Sequence, residues 1–149
     1  MTVFSHKLSH LWSDRKAGMI HQLAVLCPGK NELHLLVECR KHFYTQILGL
    51  EIIAENYRKA RDSYKLDLKL PDCSQIELFS FPNPPARPSR PEALGLRHLA
   101  FVVESIESVV KQLVLSGVEV EDIRIDEYTD KKYTFFSDPD GLPLELYEL

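Results

Sequence analysis

The sequence predicts an α+β protein in which a βαβββ module occurs twice and forms a cupped mixed sheet. Three observations predict it. The order of expected elements repeats after about fifty to sixty residues. Five prolines between residues 82 and 91 separate the two copies. Each copy ends in an apolar strand that carries a single acid, Glu77 or Glu145. Because one module alone is too small to bury a sufficient core, the two are expected to pack side by side, with function on the concave face.

The first module begins with a predicted strand at 19–27, which Pro28 and Gly29 end. Asn31 can cap the helix that follows, and the apolar residues from Leu33 to Leu48 recur at helical spacing. Gly49 suits the position just past the helix end. Three further strands are predicted at 51–56, 64–70 and 75–81.

The second module repeats this order after the proline-rich segment. A strand is predicted at 96–103, and Ser105 caps a helix that Gly117 terminates. Strands at 118–125, 132–137 and 142–146 complete the module, the last of them after the turn motif Asp138-Pro139-Asp140-Gly141. The expected organisation is an N-terminal extension (1–18) and one domain (19–149). That domain consists of module one (19–81), a linker (82–94) and module two (95–149).

Polar residues at equivalent strand positions of the two modules form a candidate metal site. Side chains alternate between the faces of a strand, so the duplication aligns Gln22 with His98 and Glu77 with Glu145. Oxygen and nitrogen donors without a thiolate suit a divalent cation such as Zn²⁺, Ni²⁺, Co²⁺, Mn²⁺ or Fe²⁺. The structural alternative is a hydrogen-bonded histidine and acids in salt bridges, for instance with Arg61 or Arg97.

Composition excludes several other classes of function. A formal net charge of −4 and the lack of a basic face argue against nucleic-acid and membrane-surface partners. No apolar run has the length of a membrane span or the character of a signal peptide. The three cysteines form no Cys-x-x-Cys pair, which argues against a disulfide framework and favours a reducing, cytoplasmic location.

Four segments of the chain together resemble the vicinal oxygen chelate (glyoxalase/bleomycin-resistance/dioxygenase) superfamily, in particular small bacterial glyoxalase-I-like proteins of the YaeR type. They are Phe43–Leu50, Ile76–Phe79, Leu96–Phe101 and Phe136–Gly141 with Glu145. The resemblance implies metal ligands at Glu77, His98 and Glu145, together with a residue of the first strand. Gln22 occupies that position by register, and a one-residue bulge would bring in His21 instead. Gln22 is favoured because such a slip would turn Leu23 and Val25 away from the helix.

The resemblance further implies a metal-dependent, glyoxalase-I-like lyase or isomerase that acts on a small oxygenated metabolite through bidentate oxygen chelation. A ligand carboxylate, Glu145 or Glu77, would act as the base. Arg61 is a candidate for holding an anionic substrate group. The sheet edges and the family resemblance suggest a homodimer. The alternative is a drug-sequestering binding protein of the bleomycin-resistance type, which uses the same cup without metal catalysis.

Overall fold

The structure, a computed structural model, describes residues 33–88, 91 and 94–149. The predicted N-terminal extension and first strand lie outside these residues. The described chain divides into two compact units, one ending at Ala86 and the other running from Arg87 to Leu149.

The first unit contains one continuous helical segment where the periodicity predicts a helix. Helix α1, Leu33–His42, passes directly into a π-helical turn, Phe43–Ile47. Its buried side chains include Val37, Phe43, Tyr44 and Leu48. Gly49 has φ +79°, a left-handed conformation that a glycine adopts without a side-chain penalty, so the segment ends where the sequence predicts.

Three antiparallel strands form the sheet of this unit, in the order β1-β2-β3. They are β1 Glu51–Arg58, β2 Ser63–Lys69 and β3 Gln75–Phe79. A 3₁₀ turn, Lys59–Arg61, joins β1 to β2, and pairing continues to Arg58 opposite Ser63. Strand β1 therefore extends two residues beyond its predicted end, because the short turn lets the hydrogen-bonded pairing of β1 and β2 continue up to it.

The second unit holds a four-stranded mixed sheet and one helix. The elements are β4 Leu99–Val103, α2 Ile106–Leu115, β5 Arg124–Ile125, β6 Lys132–Ser137 and β7 Pro143–Glu148. The strand order is β4-β7-β6-β5. Strands β4 and β7 run parallel, and the other neighbours are antiparallel. The described strands of the first unit repeat the antiparallel succession of β5, β6 and β7, which agrees with the predicted duplication.

Helix α2 covers one face of this sheet. Ile106 and Leu113 of the helix are completely buried, as are Phe101 on β4 and Leu144 on β7. Ser105 caps the helix as predicted, since its hydroxyl accepts a hydrogen bond from the Ser108 amide. No helix in the described part of the chain is both long and apolar enough to cross a membrane.

The prediction of a strand at 118–125 is mostly wrong. Regular pairing is confined to Arg124–Ile125, with an isolated bridge between Val120 and Phe136. The Thr134 hydroxyl donates to the Glu121 carbonyl at 2.7 Å and so takes up an acceptor that an unbroken ladder would use.

The Asp138-Pro139-Asp140-Gly141 motif forms the predicted tight turn into β7. The Asp138 carboxylate accepts hydrogen bonds from the amides of Asp140 (2.9 Å) and Leu142 (2.8 Å). Gly141 has φ +79°, which explains the glycine at this position. The turn fixes where β7 starts and hence which of its residues face α2.

The cysteines differ in state. Cys39 is buried on α1 and is disulfide-bonded, whereas Cys73 is an exposed free thiol. The cytoplasmic location expected from the cysteine content stays a prediction.

Candidate functional site

His98 and Glu145 meet on the sheet face opposite α2. Strands β4 and β7 are parallel neighbours, and Ala100 pairs with Glu145. His98 lies two residues before Ala100 and therefore points to the same side. His98 Nε2 is 3.0 Å from Glu145 Oε2. The structure thus brings together two of the four residues in the candidate metal set.

Glu145 is a buried acid in an apolar strand, as its sequence context suggests. It is 8% exposed, and its neighbours Leu144 and Leu146 point into the core beneath α2. Burial raises the pKa of Glu145, because the charged form loses hydration. The His98 ring opposes that rise, both by its charge and by its hydrogen bond, without cancelling it. Glu145 therefore binds a proton more readily than a solvated carboxylate does.

Aromatic residues of β6 line the same face. Phe135 pairs with Glu145 across the strands, and its ring meets the His98 ring edge to face at 5.3 Å. Tyr133 lies two residues away on the same side and contacts Phe135. Sequence reasoning missed both rings, although the same alternation rule applied to 132–137 would have placed them beside Glu145.

A cavity of about 390 Å³ adjoins Glu145. Its lining consists of Glu145, Tyr133 and four consecutive residues at and after the end of β5, namely Ile125, Asp126, Glu127 and Tyr128. The Asp126 carboxylate accepts hydrogen bonds from the Tyr128 amide at 2.8 Å and from the Tyr147 hydroxyl at 3.3 Å. Its negative charge also raises the pKa of Glu145. The sequence offers no signal for Asp126, because the loop conformation alone brings it here.

Glu77, the corresponding acid of the first unit, has a different environment. It lies on β3 opposite Asp67 of β2, and its side chain is 49% exposed. Lys65 Nζ is 2.5 Å from the Glu77 carboxylate and 2.9 Å from that of Asp67. The two acids raise the pKa of Lys65 through these hydrogen bonds, Glu77 more than Asp67. Glu77 is therefore an exposed acid with Lys65 as its ion-pair partner, whereas Glu145 is buried beside His98.

The remaining predicted site residues are Arg61 and the first-strand position. Arg61 is exposed in the 3₁₀ turn between β1 and β2, where it forms no ion pair with the described residues. Gln22 and its alternative His21 lie outside the residues that the structure describes. Within either unit, the described part of the chain holds no group of three His, Cys, Asp or Glu side chains that could bind a metal ion. The candidate set draws on both units and on the first strand.

Comparison with known proteins gives consistent matches. The family model described as Glyoxalase/Bleomycin resistance protein/Dioxygenase superfamily matches residues 37–146. The uncharacterized protein YaeR of Escherichia coli is 61% identical over 108 residues, covering 72% of this chain and 84% of YaeR. The uncharacterized protein YwkD of Bacillus subtilis is 53% identical over 129 residues, covering 87% and 95%. The crystal structure of a glyoxalase family protein from Enterococcus faecalis has a TM-score of 0.71 and 54% identity, covering 74% of this chain and 87% of that one.

Proposed function

Because the chain belongs to the glyoxalase/bleomycin-resistance/dioxygenase superfamily, we propose that it is a metal-dependent, glyoxalase-I-like lyase or isomerase. The substrate would be a small oxygenated metabolite bound through two adjacent oxygen atoms. The observation that carries the proposal is the contact between His98 and Glu145 on the open sheet face, at 3.0 Å. Members of this superfamily often bind divalent metals, and others bind small molecules without catalysis.

The donor atoms fit a divalent cation. His98 offers an imidazole nitrogen and Glu145 a carboxylate oxygen, the ligand types that Zn²⁺, Ni²⁺, Co²⁺, Mn²⁺ and Fe²⁺ share. Glu77 and a residue of the first strand, Gln22 or His21, would complete the set. Burial of the Glu145 carboxylate costs free energy, which the contact with His98 offsets only in part. A cation at this position would offset that cost.

The chemistry would be proton transfer between adjacent carbons of the substrate. The bound cation would supply positive charge that stabilises oxygen anions. Glu145 is the favoured base, with Glu77 as the alternative, because Oε1 of Glu145 accepts no hydrogen bond from the described residues. Phe135 packs edge-on against the His98 ring and limits its rotation, which keeps Nε2 of His98 beside Oε2 of Glu145.

The experiment begins with metal analysis of the purified protein, followed by a turnover screen of 2-oxoaldehyde–thiol adducts. Glu145→Gln keeps the size of the side chain and is expected to abolish turnover while leaving the circular dichroism spectrum unchanged. Glu148→Gln is the matched control, since Glu148 lies on the same strand with the opposite parity and accepts a hydrogen bond from the Ile106 amide. Full turnover in Glu145→Gln would refute the role assigned to Glu145.

A second function is a small-molecule binding protein that works without metal. One observation favours it: the carboxylate of Glu145 already has a partner in His98, so the pair does not require an ion for its hydrogen bond. Equilibrium dialysis decides between the two. Stoichiometric retention of a divalent metal that is lost in both His98→Ala and Glu145→Gln supports the enzyme, whereas no retained metal supports the binding protein.

The predicted homodimer and cytoplasmic location belong to the same proposal. Light scattering after size-exclusion chromatography measures the first, and cell fractionation the second. A monomer at micromolar concentration would overturn the dimer.

A further inference from the structure

Arg58, the last residue of β1, carries a positive charge that the described residues leave unmatched. We propose that its guanidinium binds an oxyanion, namely the carboxylate or phosphate group of a small organic ligand. The inference goes beyond the proposed lyase function, because the anion site requires neither a bound metal nor turnover.

The pairing of the strands places Arg58 on a definite face of the first sheet. Arg58 pairs with Ser63 across β1 and β2, and residues paired in this way point to the same side. Alternation along β2 puts Ser63 on the side opposite the buried Leu66. Phe79 of β3 pairs with Lys65 and therefore points to the same side as Ser63. Arg58 and Phe79 thus share the face that Leu66 does not occupy.

Contacts on two sides hold the guanidinium in place. Nε of Arg58 donates a hydrogen bond to the hydroxyl of Ser63 at 3.0 Å, and Ser63 is completely buried. Cζ lies 4.8 Å from the centre of the Phe79 ring and 5.7 Å from that of Phe81, close enough for cation–π attraction. The two rings are nearly parallel, with an angle of 15° between their planes. Because the side chain is already positioned, a ligand that binds to it loses less conformational entropy.

These contacts leave the outer nitrogens of the guanidinium available. Nη2 of Arg58 is buried and has no hydrogen-bond partner. Arg58 also forms no ion pair with any residue in the described ranges. A buried donor without an acceptor costs free energy, and the cost is larger for a charged group. An oxyanion that accepted from Nη2 would remove this cost and would match the charge.

The other cation beside Phe79 already has acidic partners. Lys65 Nζ lies 2.5 Å from the Glu77 carboxylate and 2.9 Å from that of Asp67. Arg58 differs from Lys65 in lacking a carboxylate, which is the group that a guanidinium binds through two parallel hydrogen bonds. The unmatched charge on this part of the face therefore belongs to Arg58, and an incoming anion would be attracted to it.

The rings beside the guanidinium indicate that the ligand also has an apolar part. Phe79 is 39% exposed and Phe81 is 43% exposed, so both can contact a short hydrocarbon chain next to the anionic group. Glu77 lies two residues before Phe79 on the same face, roughly 7 Å along the strand. A substrate held by a metal at Glu77 would reach Arg58 with an anionic end, and this step alone rests on the proposed function.

Four compounds with the same hydrocarbon chain test the preference for an anion: butyrate, butylphosphonate, 1-butanol and butylamine. Binding to the full chain is measured at pH 7 by NMR titration of the Arg58 Nε–Hε signal, with chelator present so that the result does not depend on metal. We expect at least one of the two anions to bind roughly ten-fold more tightly than 1-butanol, and butylamine to bind no better than the alcohol. The tighter anion distinguishes a carboxylate ligand from a phosphate ligand.

Variants of the β1–β2 turn localise the site. Arg58→Gln should weaken binding of the tighter anion by roughly ten-fold. Lys59→Gln is the matched control, since Lys59 is the exposed next residue and its replacement removes an equal charge. Arg61→Gln tests whether the exposed arginine of the same turn holds the anion instead. If Arg58→Gln is poorly folded, Arg58→Lys takes its place; it keeps the charge without the forked geometry and should still weaken binding more than Lys59→Gln does.

Several results would overturn the inference. They are no measurable binding of either anion, equal binding of the anions and 1-butanol, or equal effects of Arg58→Gln and Lys59→Gln. Loss of binding in Arg61→Gln but not in Arg58→Gln would also overturn it. If the anion binds at Arg58 but no metal is retained, the anion site stands and the lyase proposal fails. If metal and turnover are found without anion binding, the lyase proposal stands and the anion site fails.

Discussion

The ion pair between Lys65 and Glu77 provides a direct test of whether Glu77 binds metal. If Glu77 is a ligand, the ammonium group of Lys65 competes with the metal for its carboxylate. Replacement of Lys65 by methionine removes the competing charge and keeps a long apolar side chain. Metal affinity should therefore rise in Lys65→Met.

The size of the effect follows from the exposure of the pair. Lys65 Nζ lies 2.5 Å from Glu77, but the side chains are 26% and 49% exposed, so water screens the attraction. We expect an increase in metal affinity of roughly two- to five-fold. Lys65 also pairs with Asp67, whose side chain is only 13% exposed, so a modest loss of thermal stability should accompany the change.

Competition with a fluorescent chelator measures the Zn²⁺ affinity of each variant, and thermal unfolding measures stability. Lys69→Met is the matched control, because Lys69 lies farther along β2 on the same face and approaches Glu51 at 3.8 Å instead. In a Glu77→Gln background, Lys65→Met should have no effect beyond that of Lys69→Met. Equal Zn²⁺ affinities for Lys65→Met and Lys69→Met in the native background would refute the assignment of Glu77 as a ligand.

Two further predictions concern stability. Leu113→Ala removes a fully buried side chain of α2 and should lower the free energy of unfolding by about 2–5 kcal/mol, measured by urea denaturation; Val114→Ala, at an exposed position, should cost far less. Lys132 hydrogen-bonds to Glu107 and lowers the pKa of that carboxyl, so the unfolded chain binds the proton more tightly. The stabilisation is therefore present above the ordinary glutamate pKa of about 4.3 and is lost as the pH falls through the lowered value. Glu107→Gln should weaken the acid dependence of the urea midpoint, and an unchanged dependence would contradict the assigned pair.

Local sequence signals predicted the elements whose ends are encoded by single residues. Helix α2 begins after Ser105 and ends before Gly117, and Gly141 lies in the turn before β7. These limits are predictable because a capping hydroxyl and tolerance of positive φ belong to the residue type itself. Alternation along β4 and β7 also predicted a common face for His98 and Glu145.

Other features depend on which segments meet. The strand expected at 118–125 is reduced to Arg124–Ile125, and the Glu121 carbonyl accepts a hydrogen bond from the Thr134 hydroxyl of a different strand. Glu77 and Glu145 both stand between two apolar residues in sequence, yet one is exposed beside Lys65 and the other is buried beside His98. The apolar neighbours of an acid determine which face of the sheet its side chain lies on, but they do not determine which other segments cover that face.

The order of residues along the chain was enough to establish the repeated module, the caps and turns, and the pairing of one imidazole with one carboxylate. These features follow from strand alternation and backbone preference, which act over short distances. The folded arrangement was needed to establish the burial of each acid, the partner of Lys65, and the position of Asp126 and Tyr133 beside Glu145. Solvent access and charge environment are set by groups far apart in the chain, and no local pattern encodes them.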